Sequence, residues 1–390
     1  MPPAEAAAGA GQPSRRIRVR LSEQARQALA VVTPAFVASK AIALVVPPYF
    51  IWSRSDSAGA PTAAELRDAF LRWDSPHYVD IATTGYPPAL DFHAAFLPGY
   101  PLLLKAASLV VPDMVVAGLL VSSVFQFLAL YYFARLVMDE RDLDAARFCT
   151  WALALSPMAF FLTALYTESP FLAGAAAALY FARRGNTVAA GAAACFACAM
   201  RVTGVALMPP LALQHVLQRR GRVGFSALAI LLIPAPLALF ALYMQVHVGD
   251  ALAYVHAHQL PSFSDAGDWP WRGLAATWRT VFSLSPANLT WVFGLELIWG
   301  IAGFVICVVA WAYRRFPAYL AIFVSSVWVV STSLAFWRSV PRYELAMFPA
   351  LIMLADATRH RPGWRSAIIT VSSGFMAVGA AIYARGWWLG

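Results

Sequence analysis

The run "RWDSPHYVDIATTGY", residues 72–86, gathers Arg72, Asp74, His77, Tyr78, Asp80 and Tyr86 a few residues before the next apolar segments. A carboxylate and an imidazole at this spacing can accept and pass a proton, and a neighbouring guanidinium can hold an anion. Asp74 is the candidate general base. It also has a structural use: in a helix starting near Ser75, Asp74 would be the N-cap and accept backbone N–H groups, with Asp80 simply solvated. "LYTESPF" places Tyr166 and Glu168 between two apolar segments, where ionisable groups are costly and usually functional. Thr167 or Ser169 there can cap the following helix, with Pro170 in its first turn. "MRVTG" sets Arg201 among apolar residues, and "FWRSVPRYE" adds Arg338, Arg342 and Tyr343. Guanidiniums converging on one point suit a phosphate, which they grip with two parallel hydrogen bonds. Their alternative use is to snorkel to lipid headgroups. His256 and His258 in "YVHAHQ" are substrate-binding candidates. A metal shared with His247 is the lesser option there, and no metal centre is assigned.

These groups sit in a chain of 390 residues that is 60% hydrophobic and only 13% charged. Soluble domains carry about 25% charged residues, so this composition requires a polytopic membrane protein. The net charge of +9 does not indicate nucleic acid, because the basic residues form short clusters between apolar runs. Cys149, Cys195, Cys198 and Cys307 all fall in apolar segments and act as small hydrophobes, with no disulfide framework and no second pair to complete a zinc site. No Walker loop, Rossmann glycine pattern or HExxH is present, and no cofactor is expected.

A membrane span needs about 20 mostly apolar residues. Clear candidates are 29–52, 114–138, 148–165, 224–246, 290–313, 317–337 and 366–385; shorter or interrupted ones are 94–111, 170–182, 187–217 and 343–356. The basic clusters at 15–20, 183–186, 218–222, 314–316 and 359–365 belong on the cytoplasmic side. Loop 53–93, with Arg54, Arg67 and Arg72 against six acids, belongs outside. Strict alternation fails unless 94–111 is re-entrant or interfacial and 187–217 is two short helices meeting near Arg201–Gly204. That assumption gives about eleven spans, a disordered cytoplasmic tail over 1–28, and one transmembrane domain over 29–390 with outer loops 53–93 and 247–289. All the candidate side chains above then share the outer face, together with five of the seven histidines.

In order, "RWDSPHYVDIATTGY", "FLPGYPLLL", "ALSPMAFFLTALYTESPF", "MRVTGVALMPP" and "VPRYELAMFP" resemble the PIG-V-type mannosyltransferases, relatives of the second mannosyltransferase of GPI-anchor synthesis. The resemblance runs over roughly 65–350. It implies an all-α, GT-C-like membrane bundle, a polyprenyl- or dolichyl-phosphate mannose donor, and chemistry on the non-cytoplasmic face. Asp74 corresponds to the usual acidic base candidate of the first outer loop. Glu168 matches the acid of the family's Tyr-x-Glu-Ser motif, and Arg201 matches an arginine of its next motif. The acceptor, whether glycolipid, glycan or protein, stays open.

The expected chemistry is inverting and needs one base. Asp74 takes the acceptor proton, Arg201, Arg338 and Arg342 hold the phosphate, and Arg72, His77, Tyr78, Tyr166 and Tyr343 bind substrate. Glu168 orients the acceptor or His77. A bacterial plasma membrane is the expected location, with the endoplasmic reticulum as the alternative. A lipid or sugar transporter, which also uses interrupted helices, and a non-catalytic subunit of a glycosylation complex are the rival classes.

Overall fold

Small and apolar residues dominate this chain, and the structure uses them to bring helices close together. The computed structural model describes residues 22–53, 62–221, 224–261, 266–283 and 287–387, excluding the side chains of 287–289. Among the described residues the regular structure is helical, and the one β feature is an antiparallel bridge between Gly267 and Leu334. The helix Glu168–Arg183 lies at the centre with nearly every residue buried. It packs between Met114–Glu140 and Thr187–Met200. Its alanines and Gly174 permit this closeness: a Cβ on Gly174 would come within 2.8 Å of the Ala193 carbonyl oxygen. Without a hydrophobic drive in lipid, such small-residue contacts are what associate membrane helices.

The outer surface of the bundle is apolar, as lipid contact requires. Val37, Val124, Ile298 and Val371, from four different helices, are all exposed. Four helices are long and apolar enough to cross a membrane, Glu23–Trp52, Met114–Glu140, Thr290–Ala312 and Pro362–Ala384. A fifth span forms if the pair Phe225–Leu231 and Ala235–His247, bent by 51°, is taken as one. The protein is an integral, multi-pass membrane protein.

Several expected spans take a different form. The first helix begins at Glu23, capped by Ser22, so it includes part of the stretch read as tail; residues 1–21 lie outside the described residues. Segment 148–165 is not one helix. The helix Leu143–Ala154 stops before Ser156 and Pro157, and a 3-10 turn over Ala159–Leu162 follows, because proline has no N–H to continue the ladder and biases the residue before it away from helix. In 317–337 the helix ends at Thr332, and Trp337 folds inward with its indole N–H donated to the Thr332 carbonyl. The helix Gly99–Ser108 has 10 residues, about 15 Å, half of what a bilayer core of about 30 Å requires. The 187–217 segment breaks at Arg201, whose extended backbone separates Thr187–Met200 from the turn Val202–Leu207 and the helix Met208–Gln218.

Charge sorts to the two ends of the bundle. At one end Arg183 pairs with Glu140, Arg184 with Asp139, Arg141 with Asp356, Arg359 with Asp142 and Arg365 with Asp144. Those pairs join the basic clusters at 183–186 and 359–365 to residues 139–144, where the helix Met114–Glu140 gives way to Leu143–Ala154, and Arg141 also donates to the Arg315 carbonyl. The candidate chemical residues lie about Glu168, at the other end of the Glu168–Arg183 helix, about 24 Å away at 1.5 Å per residue.

Candidate active site

The Asp74-bearing segment is held from far along the chain. Tyr166 Oη accepts the Asp74 backbone N–H at 3.2 Å and donates to the Arg72 carbonyl at 3.1 Å. Ser75 Oγ and Tyr383 Oη are 3.2 Å apart, and Arg72 Nε donates to the Ala384 carbonyl at 3.0 Å. Arg72 and Tyr166, expected to bind substrate, therefore hold the segment in place. The helix starts at Asp74 itself, after Trp73 at φ 57° and ψ −107°. Asp74 makes no cap, which corrects that alternative: its Oδ2 accepts from Arg342 Nη1 at 2.9 Å. The Asp74 side chain is 25% exposed and that of Arg342 is 8% exposed.

Glu168, 3% exposed, is the second anchor. Its Oε1 accepts from Arg201 Nη1, and Arg342 Nε lies 3.3 Å away without forming a hydrogen bond. Arg201 Nη1 also donates to Thr167 Oγ1 at 3.2 Å, so that hydroxyl does not cap the helix that follows it. Both guanidiniums lie over the Tyr343 ring, at 4.8 Å and 5.1 Å from its centroid. Asp74, Arg342, Glu168 and Arg201 thus form one chain of alternating charge. Arg201 reaches it because the chain folds back tightly after the helix: a Cβ on Gly204 would sit 2.4 Å from Cys198 Cα.

Arg342 is placed by a residue that the sequence reading passed over. Glu296, fully buried, accepts the backbone N–H groups of Ser339 and Val340 at 2.8 and 2.7 Å. It thereby fixes the short helix Val340–Tyr343, entered through Ser339 at φ 61° and ψ 18°. The available signal was a single acid inside the apolar run 290–313. Among the described non-glycine residues, positive φ occurs at Trp73, Arg220 and Ser339. Two of the three immediately precede the helices bearing Asp74 and Arg342, and strained backbone concentrates where geometry matters.

These groups open on a cavity of about 950 Å³. Asp74, His77, Tyr78, Arg201, Arg338, Arg342, Tyr343 and His258 line it, and Phe293, Val329 and Val330 add an apolar wall. His77 packs on Phe92 and Phe96. Burial there lowers its pKa from the ordinary histidine value, and the Asp74 carboxylate pulls the other way. His256 is not among the lining residues; its Nδ1 lies 2.7 Å from Asp250 Oδ2. His247 instead contacts the Tyr86 carbonyl oxygen at 2.8 Å, so the three histidines of that region do not converge.

The sequence profile of the family described as Mannosyltransferase (PIG-V) matches residues 28–244, more than half of the chain. The chain belongs to the mannosyltransferase (PIG-V) family. The matched region contains Asp74, Glu168 and Arg201, while Arg338, Arg342 and Tyr343 lie beyond it. No curated protein shows significant similarity to this member of the family. Its fold is similar to that of ArnT from Cupriavidus metallidurans bound to undecaprenyl phosphate, with a TM-score of 0.52 and 16% identity over 91% of this chain and 75% of ArnT. The oligosaccharyltransferase of Archaeoglobus fulgidus, tethered with an acceptor peptide, gives a TM-score of 0.48 and 12% identity over 93% of this chain. This PIG-V-family chain spans 55% of that oligosaccharyltransferase, about half its length. The bundle is of the GT-C-like kind that the sequence motifs imply.

Proposed function

We propose that this protein is a membrane glycosyltransferase that transfers a hexose, mannose by its family, from a polyprenyl-phosphate carrier to an acceptor hydroxyl. The observation that carries the proposal is the contact of Asp74 with Arg342 at 2.9 Å on the lining of a cavity that presents both polar and apolar side chains. The apolar wall suits the carrier chain, and the arginines suit its phosphate. Asp74 takes the proton of the acceptor hydroxyl as that oxygen bonds to the anomeric carbon. The bond from that carbon to the phosphate oxygen breaks, and its electron pair leaves with polyprenyl phosphate. Attack and departure on opposite faces invert the anomeric centre.

The resting contacts supply a coupling. In the resting structure Arg342 Nη1 occupies Asp74 Oδ2. A donor phosphate that draws Arg342 onto itself leaves Asp74 free to take a proton and places the guanidinium where negative charge grows. Arg338, on the same wall, adds a third cation against the two carboxylates. Glu168 does not line the cavity; it accepts from Arg201 and lies 3.3 Å from Arg342 Nε, and in our reading it sets the position of those two guanidiniums. The cavity lies at the end of the bundle away from the 139–144, 183–186 and 359–365 ion pairs. If those basic loops face the cytoplasm, transfer occurs on the extracytoplasmic face, in our proposal that of a bacterial plasma membrane.

The test uses purified protein in nanodiscs with radiolabelled polyprenyl-phosphate mannose and a membrane glycolipid extract as acceptor. Wild type releases polyprenyl phosphate only when acceptor is present. Asp74→Asn loses about 10²–10⁴-fold in rate while still inserting and folding. Full activity of Asp74→Asn rejects the base assignment.

A further inference from the structure

A second cluster of chemical side chains lies at the edge of this cavity and shares only His77 with its lining. His77, Asp80 and His93 offer one donor atom each, and those atoms lie within 4.8 Å of one another. Among the described residues it is the one group of His, Cys, Asp and Glu side chains with such geometry. His77 and Asp80 are three residues apart on the helix Asp74–Thr84 and so share a face. His93 comes from the 3-10 turn Phe92–Ala95, and its ring meets that of His77 at 5.7 Å and 86°.

The surroundings of His93 are those of a ligand. Asp91 grips it twice: Oδ1 accepts the His93 backbone N–H at 2.9 Å, and Oδ2 lies 2.6 Å from ring Nδ1. A carboxylate at Nδ1 keeps the proton there and leaves the lone pair on Nε2, the arrangement that orients and strengthens metal-binding imidazoles. His93 Nε2 is buried and has no hydrogen-bond partner. A buried acceptor without a donor is unfavourable, and a cation would remove that cost.

We infer that His77, Asp80 and His93 bind a divalent transition-metal ion of the zinc class. Two imidazoles and a carboxylate are a ligand set that suits zinc and leaves a coordination position open. Bonds of about 2.0–2.1 Å at a tetrahedral centre set donor atoms about 3.4 Å apart. Closure from the present spacing therefore needs a movement of no more than about 1.4 Å between any two of the donor atoms. The ion fastens the Asp74-bearing helix to the 92–96 turn. His77 lines the main cavity, so the ion sits at its rim, one helical turn from Asp74. The site differs from the His247, His256 and His258 grouping considered on sequence alone, and it places a metal where none was expected.

Full-length protein in detergent, stripped by chelator, is titrated with Co²⁺ and then back-titrated with Zn²⁺. The visible d–d absorption reports the ligand set, and no transfer assay is needed, so the outcome is independent of the proposed activity. Wild type takes up one Co²⁺ per chain, and Zn²⁺ displaces it. Asp80→Asn alters an exposed side chain and leaves the fold intact, yet weakens binding at least 10-fold. Asp91→Asn, which never touches the ion, weakens it about 10–100-fold. Zn²⁺ raises the unfolding temperature of wild type but not of Asp80→Asn. Absence of Co²⁺ absorption at micromolar concentrations overturns the inference, as does one-to-one binding that persists in both Asp80→Asn and His93→Ala.

Discussion

Arg342→Ala is the perturbation with the most calculable outcome. The guanidinium lies 2.9 Å from Asp74 and 3.3 Å from Glu168, contacts of about 6 and 5 kcal/mol at an effective dielectric constant of about 20. Most of that gross attraction offsets the cost of burying the ions. The measurable loss on removing one partner is about 3–5 kcal/mol, because the remaining carboxylates stay buried with less compensation. The rings of Phe161, Tyr166 and Tyr343, all within 5.4 Å of the guanidinium, lose their cation as well. Thermal unfolding in nanodiscs should fall by at least about 5 °C. Adding Asp74→Asn removes one orphaned carboxylate. The double variant should therefore recover about 1–3 kcal/mol relative to the sum of the single changes. Transfer by Arg342→Ala, assayed with saturating acceptor, should fall about 10²–10³-fold, the effect of losing one donor to developing charge. A variant as stable as wild type, or single changes that add without coupling, refutes the reasoning.

Glu296→Ala strips two charge-assisted hydrogen bonds, of about 1.5–3 kcal/mol each, from the start of the Arg342 helix; unfolding and transfer should both suffer, and Glu296→Gln should lose less. Transfer by His256→Ala should stay within about 2-fold of wild type because its ring is held by Asp250. His258→Ala, altered on the cavity wall, should raise KM for donor or acceptor. Equal effects of the two substitutions would contradict the placement of these rings. Gly204→Ala would force a contact of 2.4 Å on the Cys198 backbone and should cost about 1–3 kcal/mol, read as a drop in unfolding temperature with loss of Arg201-dependent transfer.

Asp74, Glu168, Arg201 and Arg342 were legible as a group because charge inside an apolar chain is too costly to be incidental. Their pairing was not legible. Three cations aimed at a phosphate were expected, and the structure gives Arg201 a carboxylate partner 33 residues away in Glu168 and Arg342 one 268 residues away in Asp74. Arg72 and His256 bond to the Ala384 carbonyl and Asp250 and are not among the residues lining the cavity, contacts that sequence neighbourhood does not reveal. The capping alternative for Asp74 failed because Trp73 takes a backbone conformation that residue type does not announce. The break at Arg201 was readable from length, since a helix over 187–217 overshoots the bilayer. The break at Pro157 was hidden inside an apolar run where hydropathy outweighed the proline. Glu296 was hidden in the same way, by the run that surrounds it.

The Arg72–Ser75 segment is tethered to Tyr383 and Ala384, and Arg72 and Ala384 are 312 positions apart. At about 5–20 residues per second, a ribosome needs roughly 15–60 s to make the chain between those positions. During that interval the earlier helices can insert and pair, but the loop carrying Asp74 lacks its final anchors. A chain cut short before the helix Pro362–Ala384 would therefore insert its earlier helices while the Asp74 segment lacks the Tyr383 and Ala384 anchors, and would be inert in transfer.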